Sequence, residues 1–155
     1  MSETARTQAA LLLETAADNF DQAIATMAPV YFAVLGLDAI AQAASICVDL
    51  TDVAPSAVAR IQALGFDVVV KVFDAVRGQT WADEVPIAFG VVSALLKPED
   101  DPLRGDRLLF VVMVLNNLRS HLCRTELHRR GDRLTRMALA RRAWNAAHPS
   151  ELPLQ

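Results

Sequence analysis

Lysine is nearly absent from this chain of 155 residues, at 2 against 13 arginines. Such a bias can follow genome composition as easily as function, so the position of the arginines carries the information and their number does not. Cysteine is also scarce. Cys47 and Cys123 are distant in sequence, form no C-x-x-C and lie in apolar surroundings, which leads us to expect two reduced, buried thiols. Aromatic residues make up 6% of the chain, and Trp144 is the only one after Phe110, so the interleaving of aromatics with basic residues that binds single-stranded nucleic acid is missing.

Long hydrophobic runs are lacking too. The stretches Ala28 to Leu37, Val85 to Leu96 and Leu108 to Leu115 fall short of the ~20 apolar residues a membrane-spanning helix needs. The run Ala9 to Leu13 lacks the core of a secretory signal. These features set an expectation of a cytoplasmic protein with no membrane partner. There is no P-loop, no Rossmann glycine pattern, no G-x-S-x-G and no E-x-x-H pair, and the expected protein carries no cofactor.

What is present favours helix throughout. Alanine is abundant, and small and apolar residues recur every three or four positions at Ala9, Leu12, Ala16, Phe20, Ala23 and Met27. A second helix from about Met27 to Val48 has Tyr31, Asp38, Gln42, Ser45 and Asp49 on one stripe, which puts Asp38 at the surface. A third carries Val58, Ile61, Gly65, Val68, Val72 and Val76 on one face and Arg60, Asp67, Lys71 and Asp74 on another. Its β-branched run Val68 to Val72 leaves a strand as the alternative.

Thr26, Asp52 and Asp83 each stand three residues before a proline, as capping side chains at helix starts would. A fourth helix runs from about Glu84 to Lys97. After the acidic loop around Glu99-Asp100-Asp101, a long helix from Leu103 to about Arg129 is apolar on nearly every side between Leu108 and Leu115. That profile predicts a central, surrounded element.

An unbroken continuation would bring later arginines onto the apolar face, so a break is expected at Gly131-Asp132. A last helix then reaches about Ala147, with Met137, Ala140 and Trp144 on its apolar face. The fold class expected is all-α: one domain, residues 1–148, built as a bundle of five to six helices around a buried central helix near 103–129, with 149–155 as a flexible tail.

The charge is divided along the chain. Residues 1–106 hold 15 acids against 6 bases, a net of −9, and residues 107–155 hold 9 bases against 3 acids, a net of +6. Eight arginines lie between Arg119 and Arg142. Guanidinium groups bind carboxylates and phosphates through paired hydrogen bonds, so Arg124, Arg129, Arg130, Arg133, Arg136 and Arg141 form a candidate surface for an acidic partner or an anion. The bland alternative is a solvated face with local pairs such as Glu126–Arg130 and Asp132–Arg136, or pairing with the chain's own acidic half.

A helix-turn-helix would need its turn at Gly131 and a small residue where Leu127 stands, and the overall charge of −3 opposes nucleic acid, the least favoured partner class. His121 is the one weak catalytic candidate, since it follows a buried helix beside Asn117, but no partner carboxylate is identifiable. His121 and His128 lie among arginines that would repel a cation, so no metal site is expected.

Gly36, Gly65 and Gly90 sit mid-helix among large apolar residues, where glycine costs about 1 kcal/mol relative to alanine. Close helix crossing would offset that cost, as would room for an apolar pocket. The leading expectation is therefore a non-enzymatic helical binding or regulatory module, homo-oligomeric, that contacts an acidic protein through its arginine-rich C-terminal region. A small-molecule binder or enzyme with an interhelical pocket, and a nucleic-acid-binding regulator, are the alternatives.

Overall fold

The computed structural model describes residues 2–97 and 101–149, with side chains there except those of 126–133 and 135. The described residues form helices and no strand: α1 (Glu3–Ala25), α2 (Pro29–Ile46), α3 (Leu50–Val53), α4 (Pro55–Ala75), α5 (Glu84–Leu95) and α6 (Arg104–Ala147). The all-α class holds. The chain divides into two compact units, Met1–Arg119 and Ser120–Gln155.

Within the first unit α1 follows the expected spacing at Ala9, Ala16, Phe20 and Ala23, but Leu13 takes the fully buried place expected of Leu12, and Met27, expected on the same stripe, lies beyond the end of α1 and is fully exposed. Ala9, Leu13, Ala16, Ala17, Phe20 and Ala23 make the buried stripe of α1, and α1 packs on α2 and α4. The small side chains bring the backbones close. A Cβ built on Gly36 would stand 2.6 Å from the Phe20 ring, so this glycine is required by the crossing of α1 and α2. In α4 the buried residues include Val58, Ile61, Val68 and Val72, a helical spacing that excludes the strand alternative.

Several boundaries differ in mechanism from expectation. Helices start at Pro29 and Pro55, but Ala28 and Ala54 are the N-caps and neither makes a side-chain bond. Proline at the first helical position has no N–H to satisfy, which reduces the need for a capping side chain. Thr26 instead closes α1, its hydroxyl donating to the Gln22 carbonyl at 2.7 Å. Asp83 precedes α5 without capping it. The short α3 was not anticipated; Asp49 Oδ1 accepts from the Asp52 backbone N–H at 3.1 Å and starts it.

The most enclosed helix is α2, ten of whose 18 residues are buried. It is also long and apolar enough to cross a membrane by length and composition, because the helix extends well past the Ala28–Leu37 run; 56% of it is buried within the protein. The segment expected to be surrounded, near 103–129, buries Val111, Val114, Leu115 and Leu118, while Leu109 is 59% and Met113 is 54% exposed. Apolar residues on every side of this helix therefore mean one packed face and one open one.

Arg104 anchors the start of α6. Its guanidinium donates to the carbonyls of Cys47 at 3.0 Å, Leu95 at 3.1 Å and Ala44 at 3.4 Å, at the C-terminal ends of α2 and α5. Those are carbonyls that a helix end leaves without intrahelical partners. One side chain thus ties together three helices.

The expected break at Gly131-Asp132 is not there, since α6 is helical without interruption from Arg104 to Ala147. The premise of a break was that arginines cannot occupy a packed face, but the buried face of α6 ends at Leu118, and no described residue from Arg119 to Pro149 is buried. The helix-turn-helix reading, which needs a turn at Gly131, goes with it. Residues 150–155 of the expected tail lie outside the described residues.

Candidate functional site

Two features stand out: the arginine-bearing part of α6 and a groove on the first unit. Of the eight arginines, Arg119 pairs with the acidic half, its Nη2 lying 2.9 Å from Asp38 Oδ1. Asp38 is half-buried on the α2 stripe with exposed Tyr31, Gln42 and Ser45. Further ion pairs lie within the first unit: Arg6 with Asp52, Arg60 with Asp18 and Asp21, Arg77 with Asp74, and Arg107 with Asp101. Arg60 bridges two carboxylates of α1, which raise its pKa above the ordinary value, Asp21 first and Asp18 second. The Asp101 carboxyl is held below its ordinary range by the Leu103 backbone N–H and then by Arg107.

In the second unit the geometry is that of an exposed helix. Arg124, Arg136, Arg141 and Arg142 are exposed, and Arg136, Arg141 and Arg142 have no ion pair among the described residues. The side chains of Arg129, Arg130 and Arg133, and those of the expected local partners Glu126 and Asp132, lie outside the described ones. Leu134 is 65% and Met137 is 57% exposed. The face expected to be packed, Met137, Ala140 and Trp144, is open at its first two positions, and Trp144 is half-buried against the His148 ring at 4.1 Å.

The spacing Leu134, Met137, Arg141 places two large apolar side chains and a guanidinium along one line of the helix. Arg142 flanks that line. Such a strip can bury hydrocarbon and pair charge at the same time.

His121 is half-buried, and its carbonyl accepts from the Thr125 hydroxyl at 2.9 Å. His128 lies among the side chains not described. Cys47 is buried as expected, but Cys123 is exposed, because it stands on α6 past Leu118, where the packed face has already ended. No metal-ligating cluster occurs among the described residues.

The three glycines separate. Gly36 belongs to the helix crossing, whereas Gly65 and Gly90 line one groove of about 230 Å³ between α4 and α5, with nothing within 4 Å of a Cβ at either position. Phe20, Ile61, Phe66, Val69, Phe89 and Leu96 supply much of the remaining wall. Pro86, at the start of α5, also borders the segment from Val69 to Arg77 near the end of α4, so the two helices run antiparallel.

Phe66, on the groove wall, is 75% exposed, and Ile87 elsewhere on α5 is 57% exposed. Asp67 follows Phe66 on α4, and Asp83 precedes Ile87 by one helical turn. Both are exposed and neither has an ion pair among the described residues. Sequence reasoning assigned no role to Phe66 or Ile87, placed Asp67 on the charged face of its helix and gave Asp83 only a capping role. The available signal was that Phe66, Val70 and Phe73 extend the apolar surface of α4 beyond its buried stripe.

No protein-family model, curated protein or solved structure matches this chain.

Proposed function

We propose that the protein is a non-enzymatic helical binding module that assembles with an acidic protein partner through the arginine-bearing part of α6, as a homo-oligomer and in the cytoplasm. The observation that carries the reading is the combination on one helix of exposed Leu134 and Met137 with exposed Arg141 and Arg142. The part of α6 after Leu118 has no buried position among its described residues and so gains no stability from packing there, and large apolar side chains left in water on it favour association. The arginines give the association a sign: the partner surface is acidic. Arg124, Arg129, Arg130, Arg133 and Arg136 stand on the same helix.

The mass of the purified protein in solution, with any co-purifying protein identified, tests this reading. The wild type should sediment as an assembly. Substitution of Arg136, Arg141 and Arg142 by Ala should release the partner while leaving thermal unfolding nearly unchanged. An assembly that survives the triple substitution, or a variant that unfolds, overturns it.

A further inference from the structure

Leu109 and Met137 stand four whole heptads apart on α6, and Met113 and Leu134 stand three apart, so one register of 3.5 residues passes through all four. The same register meets Asp106 at one end and Arg141 at the other, with Asn116, Ser120 and Cys123 between them and Leu127 and Arg130 at its remaining positions by spacing. Every one of its described residues is exposed, whereas Val111, Val114, Leu115 and Leu118 on the other side of the helix are buried. A helix that packs only on its own chain needs the buried set alone. A second stripe, with large apolar residues toward both ends and heptad spacing kept over five heptads, is the pattern by which helices pair.

We infer that two copies of this chain pair through the exposed stripes of α6, antiparallel, so that Leu109 and Met113 in the first unit of each meet Leu134 and Met137 in the second unit of the other. The charges at the two ends of the stripe set the direction. Parallel pairing would put Asp106 against the partner's Asp106 and Arg141 against the partner's Arg141, and like charges face to face oppose association. Antiparallel pairing brings Asp106, which is exposed and has no ion pair among the described residues, to within about one helical turn of the partner's Arg141. No charged residue stands between Arg107 and Arg119, so the arginine-bearing half of the partner helix meets no like charge along that stretch. The two contacts are equivalent and close a twofold dimer. At its centre Asn116, Ser120 and Cys123 are small or polar, which concentrates the contact at the ends and leaves the Cys123 thiol within reach of a small reagent. This inference rests on the homo-oligomeric part of the proposed function and says where the copies meet; Arg136 and Arg142 fall outside the stripe and stay open to the acidic partner.

Sedimentation of the full chain and two variants tests the contact. The wild type should be dimeric. Leu109→Asp with Met113→Asp, and separately Leu134→Asp with Met137→Asp, should each weaken the dimer at least tenfold, while far-ultraviolet circular dichroism confirms folding, since all four positions are exposed. A spin label on Leu139→Cys in a Cys123→Ser background reads the direction, because Leu139 is exposed and off the stripe and Cys47 is buried. Antiparallel helices hold the two labels more than about 40 Å apart at 1.5 Å per residue, and parallel helices about 20 Å apart, the width of two adjacent helices.

A label distance near 20 Å overturns the antiparallel pairing. A first-unit variant that stays dimeric while the second-unit variant is monomeric overturns the pairing too, and leaves the second unit as the contact of the proposed function. A monomeric wild type overturns it together with the homo-oligomeric reading. A dimer unchanged by Arg136→Ala with Arg142→Ala supports the pairing whether or not those substitutions release an acidic partner, so the two contacts fail separately.

Discussion

Arg119 on α6 holds Asp38 on α2, with Nη2 2.9 Å from Oδ1, and thereby joins the first of eight clustered arginines to the acidic half of the chain. Both side chains remain more than a third exposed, at 44% and 38%. An exposed pair of this kind contributes less than about 1 kcal/mol, because water screens it and two long side chains lose rotamer freedom. Arg119→Ala should therefore lower unfolding stability by less than about 1 kcal/mol in a urea titration, and the Arg119→Ala/Asp38→Ala double cycle should give a coupling of the same small size. A loss of several kcal/mol would show that this pair determines the packing of α6.

The glycines give opposite expectations from one type of substitution. Gly36→Ala forces a Cβ into the Phe20 ring, and Phe20 is fully buried on α1, so the substitution should destabilise by about 1–3 kcal/mol through overpacking. Gly65→Ala and Gly90→Ala meet nothing, and each should raise stability by up to about 1 kcal/mol through helix propensity. Chemical denaturation of the three single variants checks the ordering. Destabilisation by Gly65→Ala would mean that an inward contact had been missed.

The helices were legible because their apolar spacing reports directly on burial. Val58, Ile61, Val68, Val72 and Val76 all fall on the buried side of α4 as the three-to-four periodicity requires, and Asp38 lies on the partly exposed stripe of α2. What stayed hidden depends on distance in sequence. Nothing in the neighbourhood of Arg104 announces that it will serve carbonyls of Ala44 and Cys47. Hydrophobicity on all sides of Leu108 to Leu115 could not reveal that one side is left open, since periodicity describes a helix and its neighbours decide what is covered. The break at Gly131 failed for the same reason: it presumed a core extending beyond Leu118. At the candidate site, Gly65 and Gly90 were legible as costly residues, but their common groove required the α4–α5 pairing.

The two thiols should differ in reactivity. Cys123 is exposed on α6 and Cys47 is buried where α2 ends. A disulfide reagent such as Ellman's should modify Cys123 rapidly in the native protein and reach Cys47 only on unfolding, because a thiolate must be accessible to react. Cys123→Ser should abolish the rapid phase. Equal rates for both thiols would contradict the packing at the end of α2.

Arg104 is the residue whose loss should be felt furthest from its own position. Its guanidinium satisfies carbonyls at the ends of two helices and is itself part-buried, so its removal leaves several acceptors without protein partners and separates α6 from them. Hydrogen bonds from a charged group contribute about 1.5–3 kcal/mol, and positive charge at helix C-termini adds a favourable interaction with the helix dipoles. Arg104→Ala should accordingly destabilise by about 2–4 kcal/mol. Arg104→Lys should recover only part of this, because a single ammonium lacks the planar fork that spans three carbonyls. Urea unfolding of both variants checks the magnitude, and hydrogen exchange should show the added opening at the last turns of α2 and α5. An alanine variant as stable as the wild type would mean that water replaces the guanidinium without cost.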